Sequence, residues 1–161
     1  MRWVGRPLPR YEDPALLRGR GRYTADLAQG ARRLRFVRSP VARGRILRVK
    51  SPPEVPIITA ALLGDVKPIC PRLDRPDYIA VAQPILAIDR VTYVGEPIAA
   101  VIADSAAEAE DLLEQVTVDI AAETPVVTLD EALASGAPLV HEVAAHNTLI
   151  DARFEDRKSV V

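Results

Sequence analysis

The chain has 161 residues, 48% hydrophobic and 27% charged, the balance of a globular domain. At 4% aromatic, the core must be built from Ala, Val, Ile and Leu. No apolar run approaches the roughly 18 residues that span a bilayer, and Met1 to Pro7 offers no apolar stretch of signal-peptide length, so the chain reads as cytoplasmic with no membrane partner. The net charge of −1 hides a strong polarity: residues 1–50 carry +11, residues 51–100 carry −2 and residues 101–161 carry −10. The basic part is rich in arginine, interrupted by Pro and Gly, and lacks the aromatics that would stack bases. That pattern fits pairing with carboxylates better than nucleic-acid binding.

Residues 1–30 read as an extended arm, because Pro7, Pro9, Pro14, Gly19, Gly21 and Gly30 break every periodic pattern. One helical turn is expected at Asp13–Leu17, with Asp13 as N-cap, Pro14 as first helical residue and Gly19 as stop. Strands follow at Leu34–Arg38 and Gly44–Lys50, the second with imperfect alternation. The proline-broken Ser51–Pro56 segment cannot be a helix interior. Ile57–Leu63 is strand or helix, its β-branched start favouring a strand.

Residues 64–84 read as a loop, and Ile85–Ile88 and Val91–Val94 as short strands. Gly95-Glu96-Pro97 forms a tight turn into Pro97–Ala103, a continuous apolar run expected to be a strand buried on both faces. The clearest helix spans 105–116. Ser105 and Glu108 form a capping box, and Ala109, Leu112, Leu113 and Val116 make one apolar stripe. Val116–Ile120 alternates as a half-buried strand. Residues 97–120 thus spell strand, helix, strand, suited to a βαβ crossover or an equivalent α+β unit. A second capping box, Thr128 to Glu131, starts a short helix that Gly136 can end. The organisation expected is an arm over 1–30, one α+β domain over 31–150 and a polar, frayed tail over 151–161.

Few residues suggest chemistry. There is no phosphate loop, no C-x-x-C and no serine nucleophile elbow. Cys70, the only cysteine, cannot alone form a disulfide or hold a cluster, and reads as a small buried or half-buried thiol. His141, Glu142 and His146 offer a conceivable metal-ligand set. Their spacing does not place both rings on one helical face, so loop histidines bonded to backbone are the simpler reading. The carboxylates of helix 105–116 read as a solvated or arginine-pairing face, since a surface helix lacks the desolvation that a catalytic carboxylate needs.

Several segments taken in order resemble a known family. Val4-Gly5-Arg6-Pro7-Leu8-Pro9-Arg10-Tyr11-Glu12-Asp13-Pro14-Ala15-Leu16-Leu17-Arg18-Gly19-Arg20-Gly21-Arg22-Tyr23 is followed by Phe36-Val37-Arg38-Ser39-Pro40 and Ala42-Arg43-Gly44-Arg45-Ile46. Then come Gln83-Pro84-Ile85-Leu86-Ala87, Val91-Thr92-Tyr93-Val94-Gly95-Glu96-Pro97-Ile98-Ala99-Ala100-Val101, Ser135-Gly136-Ala137-Pro138, His141 and Asn147. The ordered set, over about residues 3–150, resembles the N-terminal α/β hammerhead domain of the molybdopterin-binding large subunit of the aldehyde oxidase/xanthine dehydrogenase family. The carbon monoxide dehydrogenase large chain is one such subunit. Two departures stand out. Val41, Arg43 and Gly44 replace a histidine pair after Ser39-Pro40, which suggests relaxed constraint or an altered interdomain surface. The segment from Lys50 to Ile57 is shorter and proline-broken where the family has a helix.

The resemblance implies an α+β hammerhead-like mixed sheet with one main helix and an extended N-terminal arm. It implies a scaffold domain of a molybdenum hydroxylase, with molybdenum–molybdopterin in the full subunit and 2Fe–2S and FAD on partner subunits. Molybdopterin contacts and the catalytic glutamate of the family lie in later domains. No catalytic, cofactor-binding or metal residue is therefore carried onto this sequence, and no cofactor is expected on the chain alone. The implied partners are the remaining large-subunit domains and the FAD-binding and 2Fe–2S subunits. Arg6, Arg10, Arg38, Gly95 and Glu96 are the candidate interdomain or partner contacts. The alternative reading is an independent module that binds a small ligand or another protein.

Overall fold

The computed structural model describes residues 4–28 and 30–153. Trp3 and the polar stretch Glu155–Ser159 lie outside the described residues. The chain divides into two compact units, residues 1–32 and 33–161.

In the first unit, helix α1 is Asp13–Leu16 and α2 is Thr24–Leu27. Glu12, not Asp13, is the N-cap of α1, and Pro14 stands in the second helical position. The Asp13 carboxylate instead accepts the Arg10 N–H at 3.1 Å, folding the chain back one turn earlier. Gly19 ends the turn at φ +65, as its position implied.

The second unit contains two three-stranded sheets whose pairs are all antiparallel. One has the order β1 (Arg33–Arg38), β5 (Pro97–Ala103), β3 (Ile57–Thr59). The other has the order β4 (Arg90–Val91), β2 (Gly44–Lys50), β6 (Thr117–Ala122). The α+β class and the single longer helix, α4 (Ala106–Leu113), stand as expected. The mixed sheet resolves into this antiparallel pair. β5 and β6, which flank α4, lie in different sheets, so the strand–helix–strand run is a bridge between sheets and not a parallel crossover.

β5 explains the arrangement. Ala99 and Val101 pack with Val37 and Val55, with Leu112 and Leu113 of α4, and with Val116, which the sequence placed in the helix but which lies just beyond its end. Ile98, on the opposite face of the strand, packs with the loop residue Ala87 and with Val91, Ile46 and Ile120 of the second sheet. A strand that fills two cores must be apolar at consecutive positions, hence Pro97–Ala103 without alternation. Small alanines at 99 and 100 let the neighbouring strands close in where aromatics are scarce.

The imperfect alternation of β2 also has a cause. Ile46 faces Ile120 and Arg48 faces Asp119, so Leu47 is an extra, bulged residue. The bulge keeps both Ile46 and Val49 on the core side, three residues apart, and leaves Leu47 exposed. Gly44 is required by close approach: a Cβ there would meet Ile120 Cγ2 at 2.6 Å and the Ala121 carbonyl oxygen at 2.7 Å.

Other local expectations are corrected. Ile57–Leu63 is strand for three residues and then helix α3 (Ala60–Leu63). Ile85–Ile88 forms no strand, and Val91–Val94 contributes only Val91 to one, because Gly95 turns the chain almost at once. Leu86 and Ala87 are buried as a core-lining loop, with the Ala87 N–H donating to the Pro97 carbonyl at 2.7 Å. Cys70 is exposed rather than buried or half-buried. It sits between Pro68 and Pro71 in the loop 64–84, whose side chains are mostly exposed. The final helix α5 (Leu129–Leu133) has the predicted Thr128–Glu131 capping box, and Gly136 takes φ +78 beyond it.

Candidate interaction surface and the Glu96 cleft

Three of the five candidate contact residues come together at one turn. Tyr93 to Glu96 forms a four-residue turn closed by the Glu96 N–H on the Tyr93 carbonyl at 3.3 Å, with Gly95 third at φ +86. Only glycine adopts that φ without strain. The turn is tied to the end of β1 by two backbone bonds. Ser39 N–H donates to the Glu96 carbonyl at 2.9 Å, and Gly95 N–H donates to the Ser39 carbonyl at 2.8 Å. Arg38 Nη1 donates to the Gly95 carbonyl at 2.8 Å, and its guanidinium lies 5.3 Å from the Phe36 ring centroid. Arg38 is exposed and Glu96 is buried, at 5% exposure.

The Glu96 carboxylate is held by its own turn. Its Oε2 accepts the Thr92 N–H at 2.5 Å and the Thr92 hydroxyl at 3.0 Å. Arg6 and Arg10 lie in the other unit, both exposed.

A cleft of about 450 Å³ opens beside Glu96. Its walls come from residues 78–84, 90–96 and 140–149, and include Tyr78, Gln83, Tyr93, Val140, His141 and Leu149. Gln83 Nε2 donates to the Tyr93 hydroxyl at 2.8 Å. The Ile79 N–H donates to the Leu149 carbonyl at 2.8 Å, joining two walls. Asn147 orders the third wall. Its Oδ1 accepts the Val140 N–H at 2.9 Å, and its Nδ2 donates to the Pro138 carbonyl at 3.1 Å and the Ala132 carbonyl at 3.3 Å. Sequence reasoning placed Gln83, Tyr93 and His141 in family-like segments without bringing them together. No local pattern could have done so, since their proximity is tertiary.

The arginines and carboxylates pair across the sequence halves. Arg43 contacts Glu123 at 3.2 Å and donates to the Leu139 carbonyl at 2.9 Å. Arg90 reaches Glu123 at 3.5 Å and Glu142 at 3.2 Å. Arg35 pairs with Glu110 of α4, and Lys50 with Asp119 at 2.9 Å. Lys50 holds the Asp119 carboxyl below the usual aspartate range by hydrogen bonding and charge. Arg43, one of the departures from the family pattern, is therefore engaged within the domain. Glu142 pairs with Arg90 and is not joined to the two histidines. His141 lines the Glu96 cleft, while His146 borders a separate hollow beside α5. Among the described residues no group of three His, Cys, Asp or Glu side chains is placed to hold a metal ion. Among them, too, no helix is long and apolar enough to cross a membrane.

Residues 18–124 match the family model described as aldehyde oxidase and xanthine dehydrogenase, a/b hammerhead domain. The chain belongs to this family. The nicotine 6-hydroxylase large subunit of Paenarthrobacter nicotinovorans is 34% identical over 128 residues, covering 73% of this chain and 15% of that protein. The carbon monoxide dehydrogenase large chain of Hydrogenophaga pseudoflava is 30% identical over 142 residues, covering 85% of this chain and 17% of that one. The solved structure of quinoline 2-oxidoreductase from Pseudomonas putida 86 superposes with a TM-score of 0.79 at 30% identity. The match covers 88% of this chain and 19% of that chain. The hammerhead chain thus spans less than a fifth of the length of these relatives.

Proposed function

We propose that this hammerhead domain is a scaffold within the large subunit of a molybdenum hydroxylase. On this reading it holds its neighbours in register and carries none of the reacting groups. The observation that supports it most is the match over residues 18–124 to a domain that makes up under a fifth of each relative. Molybdenum–molybdopterin belongs to the remaining large-subunit domains on this reading, and 2Fe–2S and FAD to partner subunits. The described residues offer no ligand set for an iron–sulfur cluster: their single thiol, Cys70, stands alone and exposed, and no metal-ligand cluster accompanies it. No step through a cofactor is assigned to them.

The same reading takes residues 1–30 as an arm, 31–150 as the hammerhead body and 151–161 as a tail, in the cytoplasm. Arg6, Arg10, Arg38 and the Gly95–Glu96 turn are its contacts to neighbouring domains or subunits. The test is co-expression of the tagged chain with the genes that flank its own. A stable complex containing molybdenum, iron and flavin in fixed ratio supports the scaffold role. A chain that purifies alone, with its neighbours encoding no such polypeptides, overturns it.

A further inference from the structure

We propose that the Glu96 cleft binds a small organic molecule bearing an ammonium group on an apolar body. The walls combine aliphatic surface from Val81, Val140 and Leu149 with the two tyrosines, Tyr78 and Tyr93. At about 450 Å³ the cleft falls within the size range of small-molecule sites, which are mostly apolar with a few placed polar groups.

The charge comes from Glu96. Its side chain is more than nine-tenths buried and lines the cleft. Oε2 is saturated by the two Thr92 donors, whereas Oε1 makes no hydrogen bond to any described residue. Oε1 is also not sealed from solvent, since no buried side-chain oxygen is left without a partner. A half-desolvated carboxylate with one open oxygen favours a cationic donor. One open oxygen offers a single acceptor, not the two-oxygen edge that a guanidinium fork engages, so a compact ammonium fits better.

The remaining polar groups are consistent with that choice. Arg90, the cation in the wall, is engaged by Glu123 and Glu142 and adds little uncompensated positive charge. The Tyr93 hydroxyl already accepts from Gln83 at 2.8 Å. Tyr78 and Tyr93 line the cleft, and an aromatic ring whose face meets a bound cation attracts it further. The site is built wholly from residues 78–149 of this chain, and because the scaffold reading gives the Gly95–Glu96 turn to a neighbour, binding is measured on the chain without partners.

Benzylamine and benzyl alcohol share a shape and differ in charge, so they serve as the probes. Backbone amide shifts of the full chain are followed by NMR during titration with each. Saturable benzylamine binding is expected, with shifts mapping to residues 78–96 and 140–149, at least about tenfold tighter than the alcohol. In Glu96→Gln the amide oxygen can still accept from Thr92 while the open atom becomes a donor. That variant should keep the fold and lose the preference for the amine. Ala82→Leu, at an exposed position on the wall, should weaken benzylamine without touching the carboxylate. Equal affinity for amine and alcohol, or an unchanged preference in a folded Glu96→Gln chain, would overturn the proposal. So would shifts that map elsewhere or fail to saturate.

Discussion

Thr92 gives both its N–H and its hydroxyl to one oxygen of the buried Glu96 carboxylate, at 2.5 and 3.0 Å. This closes the turn from β4 into β5, while the buried Ser39 at the end of β1 ties the same turn through two backbone bonds. Thr92→Val keeps the backbone bond and the shape but removes the hydroxyl. A hydrogen bond to a charged group contributes roughly 1.5–3 kcal/mol. Chemical denaturation should show a loss of about that size, and an unchanged midpoint would mean that the hydroxyl is not needed.

Gly44→Ala should destabilise the chain by about 1–3 kcal/mol, as overpacking does. The new Cβ would lie 2.7 Å from the Ala121 carbonyl, part of the backbone of β6, which cannot move as a flexible side chain would. Thermal unfolding measures this, and a melting temperature equal to that of the unmodified chain would refute the close approach.

Leu112 packs from α4 onto the core of Val37, Ala99 and Val101 but is only half-buried. Leu112→Ala should therefore cost about 2 kcal/mol, near the lower end for large-to-small core changes. Glu114→Ala, at the exposed C-cap of the same helix, should change stability little. Equal losses in the two would remove the proposed packing face.

Glu131 accepts the N–H groups of Val127 and Thr128 at 2.9 and 3.0 Å, and these bonds hold its carboxyl below the ordinary glutamate range. A folded pKa below the unfolded one means that the unfolded chain binds the proton more readily. The stabilisation is thus fully present above the ordinary value of about 4.3 and fades as pH falls through the lower folded value. Glu131→Gln should narrow its stability gap from the unmodified chain as the medium is acidified. Denaturation at several pH values would show this, and a gap independent of pH would contradict it.

The arm yields a prediction about exchange. Leu8, Tyr11, Leu17 and Tyr23 are all more than half exposed, and α1 and α2 have four residues each. Helices of one turn are marginal in water. Amide hydrogens of residues 4–28 should exchange within seconds in the isolated chain, and strong protection there would show that the arm needs no partner to be ordered.

What the sequence determined by itself is local. The Ser105 and Thr128 caps, the apolar stripe of α4 and the glycine turns at 95 and 136 depend on residues three or four apart, so spacing reveals them. The apolar run of β5 announced burial on both faces for the same reason. Tertiary structure decided the rest. Whether β5 and β6 share a sheet depends on which strands compete for their edges, and β1 and β3 take both sides of β5 while β2 takes β6. The bulge at Leu47 follows from the register against β6, which no alternation within β2 can state. Cys70 is exposed because the proline-rich loop that carries it leaves its side chains outside the core, although cysteine is on average among the most buried of residue types. The cleft at Glu96 exists only because 78–84, 90–96 and 140–149 meet, segments whose separation along the chain costs closure entropy that the packed core repays.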